Sequence, residues 1–279
     1  MQMCRHVRSG SRNAEVERVQ RSRRMKKGIR TVGIVAVWLL LWQFAARQIG
    51  QPIVFVGPVQ VCRALAVQVT EAEFWMTVLH SSAKICGGFL IAFTVGVLGG
   101  MAAGRFRLLA EFLEPAVGCL QAVPVASFVI LALIWIGSEN LSVLISFLVV
   151  FPVIYRNTLA GVRCADPKLL EMAQVYRMGT LRRFRCIYWP ALFPHLFSGS
   201  QVALAMAWKS GVAAEVIGVP DLSIGEKLYM AKIYLSTAEL FAWTLVIILV
   251  SRLFELLFLR LLSLLDVRRG CAACQEASE

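Results

Sequence analysis

Residues 85–104 read ICGGFLIAFTVGVLGGMAAG and contain no charged side chain. At a rise of about 1.5 Å per residue, a helix of this length crosses the ~30 Å hydrocarbon core of a bilayer. Residues 115–138 form a second long charge-free stretch. The remaining apolar stretches are shorter or interrupted by charges: residues 31–46, 140–155, 196–219 and 240–251. The pattern predicts six membrane-spanning helices.

The composition also indicates a membrane protein. Of the 279 residues, 58% are hydrophobic and 16% are charged, and the mean hydropathy is +0.68. Soluble domains carry about 25% charged residues, so this chain lacks the polar surface that a water-soluble fold needs. The sequence therefore predicts an all-α membrane protein. Its helices are expected near residues 30–49, 80–104, 112–136, 139–158, 196–218 and 239–262.

The basic residues are clustered along the chain. The net charge is +12, and with a cytoplasmic N-terminus 22 of the 29 Lys and Arg residues fall on cytoplasmic segments. Three fall on the opposite side: Arg63, Lys227 and Lys232. This asymmetry follows the positive-inside rule and predicts that both termini are cytoplasmic. It argues against a nucleic-acid-binding surface, which would interleave basic residues with exposed aromatics.

We expect three segments along the chain. Residues 1–29 form a basic cytoplasmic tail that is disordered or lies on anionic lipid, residues 30–265 form the transmembrane domain, and residues 266–279 form a second cytoplasmic tail. The apolar residues 32–46 could also belong to a cleaved signal peptide. No clear small-x-small cleavage site follows them, so an uncleaved helix is expected.

Several kinds of chemistry have no sequence support. The chain contains no Gly-Lys dipeptide, so a Walker A loop is excluded and any ATP must be held by a partner. His6, His80 and His195 are too far apart in sequence to suggest a metal site. The lone Cys271-x-x-Cys274 pair predicts reduced thiols. We predict no catalytic residue, no metal site and no cofactor.

Residues 166–190, between the fourth and fifth predicted spans, read DPKLLEMAQVYRMGTLRRFRCIYWP. Asp166 can cap a helix that begins at Pro167. Gly179 can supply the left-handed residue that ends this helix, and Thr180 can cap a second helix before Pro190 interrupts it. The pattern predicts two short helices with a tight corner at the cytoplasmic surface, either an interfacial connector or a docking element.

This loop resembles the signature of the permease subunits of binding-protein-dependent ABC importers. Four residues lie at the spacing of the family's E-A-A, G, I-x-L-P pattern: Glu171, Ala173, Ile187 and Pro190. Met172 replaces the middle Ala, and Trp189 replaces the usual Leu. Arg177 stands at the family's Gly position, and the nearest glycine is Gly179.

The resemblance extends from about residue 52 to 262, with a family core at about 75–262 and the coupling loop at 160–195. Residues 157–162 and 208–218 look like family segments of the nitrate, sulfonate and taurine type, which includes bicarbonate and thiamine-precursor importers. The resemblance implies a type I importer permease fold in the plasma membrane. It also implies three partners: ABC ATPase subunits below, a solute-binding protein outside and a second permease subunit in a homodimer.

Candidate site residues follow from the resemblance and the loop pattern. The expected ATPase-coupling residues are Glu171, Met172, Ala173, Tyr176, Gly179, Phe184, Ile187 and Pro190. The translocation-path candidates are Pro124, Pro152, Lys209 and Glu215. Each of the two prolines is expected to bend its span, because its ring removes a backbone hydrogen bond and clashes with the preceding turn.

Charges and small residues inside the spans give further predictions. Lys209 either faces the path and attracts an anionic solute, or forms a structural ion pair with Glu215 or Glu255 of a neighbouring helix. Arg252 and Glu255 can pair locally at i, i+3, or exchange partners across the interface between the fifth and sixth predicted spans. Small residues on one stripe predict close helix packing: Gly88, Ala92, Gly96, Gly100 and Gly104.

The sequence thus predicts the transmembrane subunit of an ATP-driven importer, and two alternatives are an ion-driven secondary transporter and a polytopic membrane enzyme. An ion-driven secondary transporter usually uses more intramembrane acids. A polytopic membrane enzyme would need clustered His, Asp or Glu at a membrane face. A small anion such as nitrate, sulfonate or taurine, or a related small solute, is the expected cargo, and its identity depends largely on the separate binding protein.

Overall fold

The computed structural model describes residue 30, residues 33–51 and residues 53–264, which form helices and turns and no strand. The all-α prediction is therefore confirmed for this part of the chain. The tails predicted at residues 1–29 and 266–279, with Cys271 and Cys274, lie outside the described residues. The chain divides into two compact units, and the first ends at Ala64.

The first unit contains the apolar helix α1, Gly33–Ile49. The indole Nε1 of Trp42 donates a hydrogen bond of 3.0 Å to the carbonyl oxygen of Val56, which fixes the segment after α1 against the helix. Helix α2, Pro58–Gln68, begins in this unit. Its first residue is a proline, which suits a helix start because the N–H it lacks would have no helical partner there.

The second unit begins within α2 and contains the long helices. They are α3 Ala72–Arg105, α4 Arg107–Ala122, α5 Val125–Ile136, α6 Leu141–Arg163, α7 Pro167–Val175, α8 Thr180–Arg183, α9 Trp189–Gly218, α10 Ile224–Ile233 and α11 Thr237–Leu264. A π-helical turn, Phe184–Tyr188, connects α8 to α9. By length and composition, α3 and α6 can cross a membrane, and α4 with α5 would be a third crossing if they form one broken span.

Helices α3 and α6 pack side by side through the predicted stripe of small residues. A Cβ atom on Gly88 would lie 2.5 Å from the carbonyl oxygen of Val143, and one on Gly104 would lie 2.5 Å from Cγ1 of Val162. The predicted close packing of this stripe is confirmed. Because the contacts advance along both helices in the same sense, α3 and α6 run parallel.

The segment between these two parallel helices returns from one end of the bundle to the other. Near the start of this segment, Oε1 of Glu114 lies 3.3 Å from Nη2 of Arg156 in the second half of α6. After the end of α5, Oε2 of Glu139 lies 2.8 Å from Nζ of Lys84 in the first half of α3. Helices α4 and α5 are bent by 102° at the break between them, where Pro124 precedes α5. The bend predicted at Pro124 is confirmed.

Helix α6 contains the other proline predicted to bend a span. It runs without a break through Pro152, whose side chain is buried. Because the helix continues on both sides, no interruption like that at Pro124 occurs, and a smaller bend at Pro152 stays a prediction.

Helix α9 packs antiparallel to α6. A Cβ on Gly199 would lie 2.6 Å from Cγ of Asn157, and one on Gly211 would lie 2.8 Å from Oγ of Ser146. Later residues of α9 therefore contact earlier residues of α6. The helix begins at Trp189 rather than near residue 196. The reason is that the preceding π-helical turn is itself helical and continues directly into α9.

Aromatic side chains join α11 to α3. The rings of Phe89 and Phe258 meet edge to face with centroids 4.9 Å apart, and those of Phe74 and Trp243 lie 5.0 Å apart. The pairs show that α11 runs in the same direction as α3. Such aromatic pairs contribute about 0.5–1.5 kcal/mol each beyond the area they bury.

Adjacent glycines of α3 provide a test of the packing with α6. Gly88→Ala should destabilise the protein by about 1–3 kcal/mol, because the new methyl group meets a backbone carbonyl that cannot rotate away. Gly87→Ala is the matched control, since a Cβ there has nothing within 4 Å. Thermal unfolding in detergent should separate the two variants. Equal melting temperatures would contradict the packing role.

Candidate functional site

Helix α7 begins as the sequence predicts. The Oδ1 atom of Asp166 accepts a hydrogen bond of 2.9 Å from the backbone N–H of Lys168, and Pro167 is the first helical residue. This cap satisfies one of the N–H groups that the first helical turn leaves without a partner. The cap therefore favours the start of α7 at Pro167, shortly after α6 ends at Arg163.

The end of α7 differs from the prediction. Arg177, not Gly179, adopts the left-handed conformation, with φ of 47°. The N–H of Met178 donates to the carbonyl of Ala173 at 2.9 Å, and the N–H of Arg177 donates to the carbonyl of Gln174 at 3.0 Å. These two bonds form a Schellman motif, which usually has glycine where Arg177 stands. Gly179 has φ of −60° and ψ of 151° and precedes α8 in an extended conformation.

The predicted second helix is also different. Thr180 is the first residue of α8 and makes no side-chain cap, and Pro190 does not interrupt the helical path. The N–H of Trp189 bonds to the carbonyl of Phe184, five residues back, as a π-helical turn requires. Pro190 falls in the first turn of α9, where its missing N–H is tolerated. Residues 180–218 therefore form one continuous helical path.

Two of the candidate coupling residues lie inside the loop. Ala173 is fully buried and packs in one cluster with Ala165 and Ile187, and Met178 packs against the cluster. Ala173 and Ile187 thus hold α7 against the start of α9 and do not contribute to the loop's outer surface. The E-A-A pattern cannot reveal this by itself, because the burial depends on how the π-helical turn folds back.

Other candidates form an exposed surface, which we call the outer face of the loop. It contains the exposed side chains of Glu171, Met172, Val175, Tyr176 and Leu181. Tyr176 is 76% exposed and Leu181 is 82% exposed. Gly179 is also exposed, whereas Phe184 and Pro190 are half-buried. Exposed apolar side chains grouped on a segment outside the long helices are typical of a protein-binding surface.

The path candidates occupy different environments. Pro124 is exposed at the break between α4 and α5, and Pro152 is buried in α6. Lys209 is exposed on a face of α9 that continues through Gln201, Ala205 and Ala213. Of these four α9 residues, two carry polar groups near the middle of a long apolar helix.

Glu215 is fully buried at the end of α9. Its Oε2 atom accepts hydrogen bonds from Oγ of Ser81 at 2.8 Å and from the N–H of Gly225 at 3.3 Å. The Ser81 oxygen also accepts from the N–H of Ile224 at 2.8 Å. Glu215 therefore joins the first turn of α10 to α3 and α9, and its side chain does not line an open surface of this chain.

The charges in the spans pair only in part as predicted. Arg252 Nη1 lies 2.6 Å from Glu255 Oε2, which confirms that local pair. Within the described part of the chain, Lys209 forms no ion pair, so the alternative of a structural pair with Glu215 or Glu255 is not supported.

Sequence reasoning missed two ion pairs at the end of the bundle opposite the loop. Lys84 binds Glu139, and Lys227 binds Glu73. The hydrogen bond from Lys84 holds the pKa of the Glu139 carboxyl below its usual value. The partners are distant in sequence, so no local spacing could have indicated either pair. Among the described residues no group of three or more His, Cys, Asp or Glu could hold a metal ion.

Long apolar helices, joined by a short loop with exposed apolar side chains, are typical of a polytopic membrane protein. Residues 95–270 match the family described as binding-protein-dependent transport system inner membrane component, and the chain belongs to that family. It is an ABC importer permease of the inner (plasma) membrane. The resemblance seen in the sequence is therefore confirmed.

Three relatives show where this chain lies within the family. A Bacillus subtilis protein named for aliphatic sulfonate transport is 27% identical over 90% of this chain and 91% of the relative. The taurine transport system permease of Escherichia coli is 25% identical over 81% of this chain and 84% of the relative. The bicarbonate transport system permease of Synechococcus elongatus is 28% identical over 54% of this chain and 55% of the relative.

The corner after α7 yields a prediction about backbone strain. Arg177→Gly should stabilise the loop by about 1 kcal/mol, because a non-glycine residue in the left-handed region costs about that much. Arg177→Val should destabilise it, since a β-branched residue tolerates this conformation poorly. Hydrogen exchange at the amides of Arg177 and Met178 would report the change.

Gly179→Ala is the control for the strain test. Its φ is ordinary and a Cβ there has nothing within 4 Å, so little change is expected. Faster exchange in Gly179→Ala than in Arg177→Val would contradict the assignment of the strained position.

Proposed function

We propose that the chain crosses the membrane six times, with both termini in the cytoplasm. In the second unit α3, α6 and α11 run in one direction, and the α4–α5 pair and α9 run in the other. Together they account for five crossings, and α1 is the sixth. Arg105, Arg107 and Arg163 lie at the same end as the loop of α7 and α8, so the positive-inside rule assigns that end to the cytoplasm.

The outer face of the loop is the proposed docking surface for the ABC ATPase. The observation that carries this proposal is the exposure of Met172, Tyr176 and Leu181 beside Glu171 on a loop stiffened by its own buried core. Covering exposed apolar side chains with a partner lowers the free energy by about 25 cal/mol for each Å² removed from water. The charged residues around them give such a contact its orientation.

Helix α9 provides a route from this surface to the far side of the membrane. Ala173 and Ile187 fix α7 to its cytoplasmic end, and Glu215 fixes α10 to its other end. When ATP closes the ATPases, a displacement of α7 would move a continuous helical path rather than a flexible linker. This is a rigid-body mechanism for opening the permease toward the solute-binding protein outside.

The exposed face of α9 is the proposed wall of the translocation path, shared with a second copy of the permease in a homodimer. Gln201 and Lys209 on this face would be costly against lipid, since a central Lys costs about 2.5–3.5 kcal/mol even on insertion scales. A water-filled path or a protein interface removes that cost. Pro124 lies at an exposed break, which also suits a path-side position.

A small anion is the proposed solute. The relatives are named for sulfonates, taurine and bicarbonate, each of which carries an anionic group. Lys209 would place a positive charge on the path, and no carboxylate of the described residues forms an ion pair with it.

The docking proposal is tested by Glu171→Lys in liposomes that contain the permease, its ATPase and its binding protein. Uptake should fall about tenfold or more while ATP hydrolysis continues, because the reversed charge misaligns the contact. Glu111→Lys is the control, since Glu111 is an exposed carboxylate on α4 outside the loop, and its exposed ion pair with Arg107 contributes little to stability. Normal uptake by Glu171→Lys would contradict the docking role.

The path proposal is tested by Lys209→Gln and Lys209→Arg. Uptake of an anionic solute should slow with Gln and recover in part with Arg, while both variants keep the parental melting temperature. The reason is that Lys209 has a charge to lose and, among the described side chains, no ion pair to break. Parental uptake by the Gln variant would count against a path position.

A further inference from the structure

A pocket of about 220 Å³ lies where the basic ends of α3 and α6 meet α8 and the π-helical turn. Much of its wall is apolar and includes Met101, Val162 and Phe184. Two arginines, Arg105 and Arg183, also line it. Phe184 is also a candidate coupling residue, but neither the outer face of the loop nor the proposed wall of the path includes this pocket.

The two arginines lack acidic partners within the described residues. The Nε atom of Arg183 is buried and has no hydrogen-bond partner there. Arg105 stacks over the ring of Phe106, with Cζ 5.7 Å from the centroid, and forms no ion pair with a described carboxylate. Arg107 and Arg156, by contrast, each bind a glutamate. A buried N–H donor without an acceptor is costly, which points to an acceptor supplied by a ligand.

The position of the pocket limits what that ligand can be. Helices α3 and α6 end at Arg105 and Arg163, where their apolar sequences give way to basic residues. This is the level of the lipid headgroups in a chain that crosses the membrane. A ligand here needs oxygen acceptors for two guanidinium groups and an apolar part that contacts Met101, Val162 and Phe184.

We propose that this pocket binds the phosphate headgroup of an anionic phospholipid. Guanidinium groups bind phosphate oxygens through charge-assisted hydrogen bonds, and basic pockets between transmembrane helices suit anionic headgroups. The bound lipid bridges α3 and α8, so it stabilises the corner that carries the outer face of the loop. The proposal rests on the membrane location and does not depend on the solute or on ATPase docking.

The test uses the full permease in complex with its ATPase, stripped of lipid in neutral detergent. Phosphatidylglycerol should raise the melting temperature at lower concentrations than phosphatidylcholine does. Arg105→Gln and Arg183→Gln should each raise the half-saturating phosphatidylglycerol concentration about fivefold. Arg183→Lys, which keeps the charge but loses the fork of donors, should lie between the parent and Arg183→Gln.

Arg182→Gln is the matched control, because Arg182 lies next to Arg183 on α8 and does not line the pocket. It should respond to phosphatidylglycerol as the parent does. If Arg182→Gln raises the half-saturating phosphatidylglycerol concentration as much as Arg183→Gln does, the attraction is non-specific and the proposal is wrong. Equal stabilisation by phosphatidylcholine would show that there is no site for an anionic headgroup. Equal stabilisation by inorganic phosphate would show that the pocket binds a free anion and not a lipid. If Arg183→Gln fails to fold, Arg105→Gln decides, since that side chain is exposed.

Discussion

The backbone contact between α3 and α6 is the constraint on which the rest of the second unit depends. Lipid gives apolar helices no hydrophobic reason to associate, so close packing must supply the attraction. Gly88, Gly100 and Gly104 bring the helices to a distance that a Cβ would block. Because the pair is parallel, α4 and α5 have to return across the bundle. Helix α9 then packs antiparallel to α6, and α11 packs along α3.

The loop continues into α9 without a break in the helical path. A regular α-helix would have reached Pro190 with a clash against the preceding turn, and a flexible hinge would have absorbed any push on α7. The π-helical turn from Phe184 avoids both outcomes, because it widens the helix just before the proline. Buried Ala173 and Ile187 pack in one cluster, so side-chain contact holds α7 to this helical path.

The fold was more predictable from the sequence than the site. Charge-free stretches located the long helices, because burial in lipid leaves a strong local signal. Helix α3 begins at Ala72 rather than near residue 80, and Lys227 binds Glu73 in its added first turn, a charge that the sequence alone would place outside a span. The corner was assigned to Gly179 from its intrinsic preference for positive φ. Hydrogen bonds and the packing of Met178 instead place Arg177 there, at a cost of about 1 kcal/mol that tertiary contacts offset.

Lys209 and Glu215 show why the face of a helix matters more than the presence of a charge. Both residues interrupt the same apolar stretch, so the sequence alone predicts both as candidates for the translocation path. Glu215 faces the interior, where Ser81 and Gly225 donate hydrogen bonds to its Oε2 atom, while its Oε1 atom is buried with no hydrogen-bond partner among the described residues. Lys209 faces outward, and its environment is completed only by water or by another protein, because lipid would leave its charge without a partner. The exposed lysine therefore supports the proposal that a water-filled path or a second permease subunit covers this face of α9.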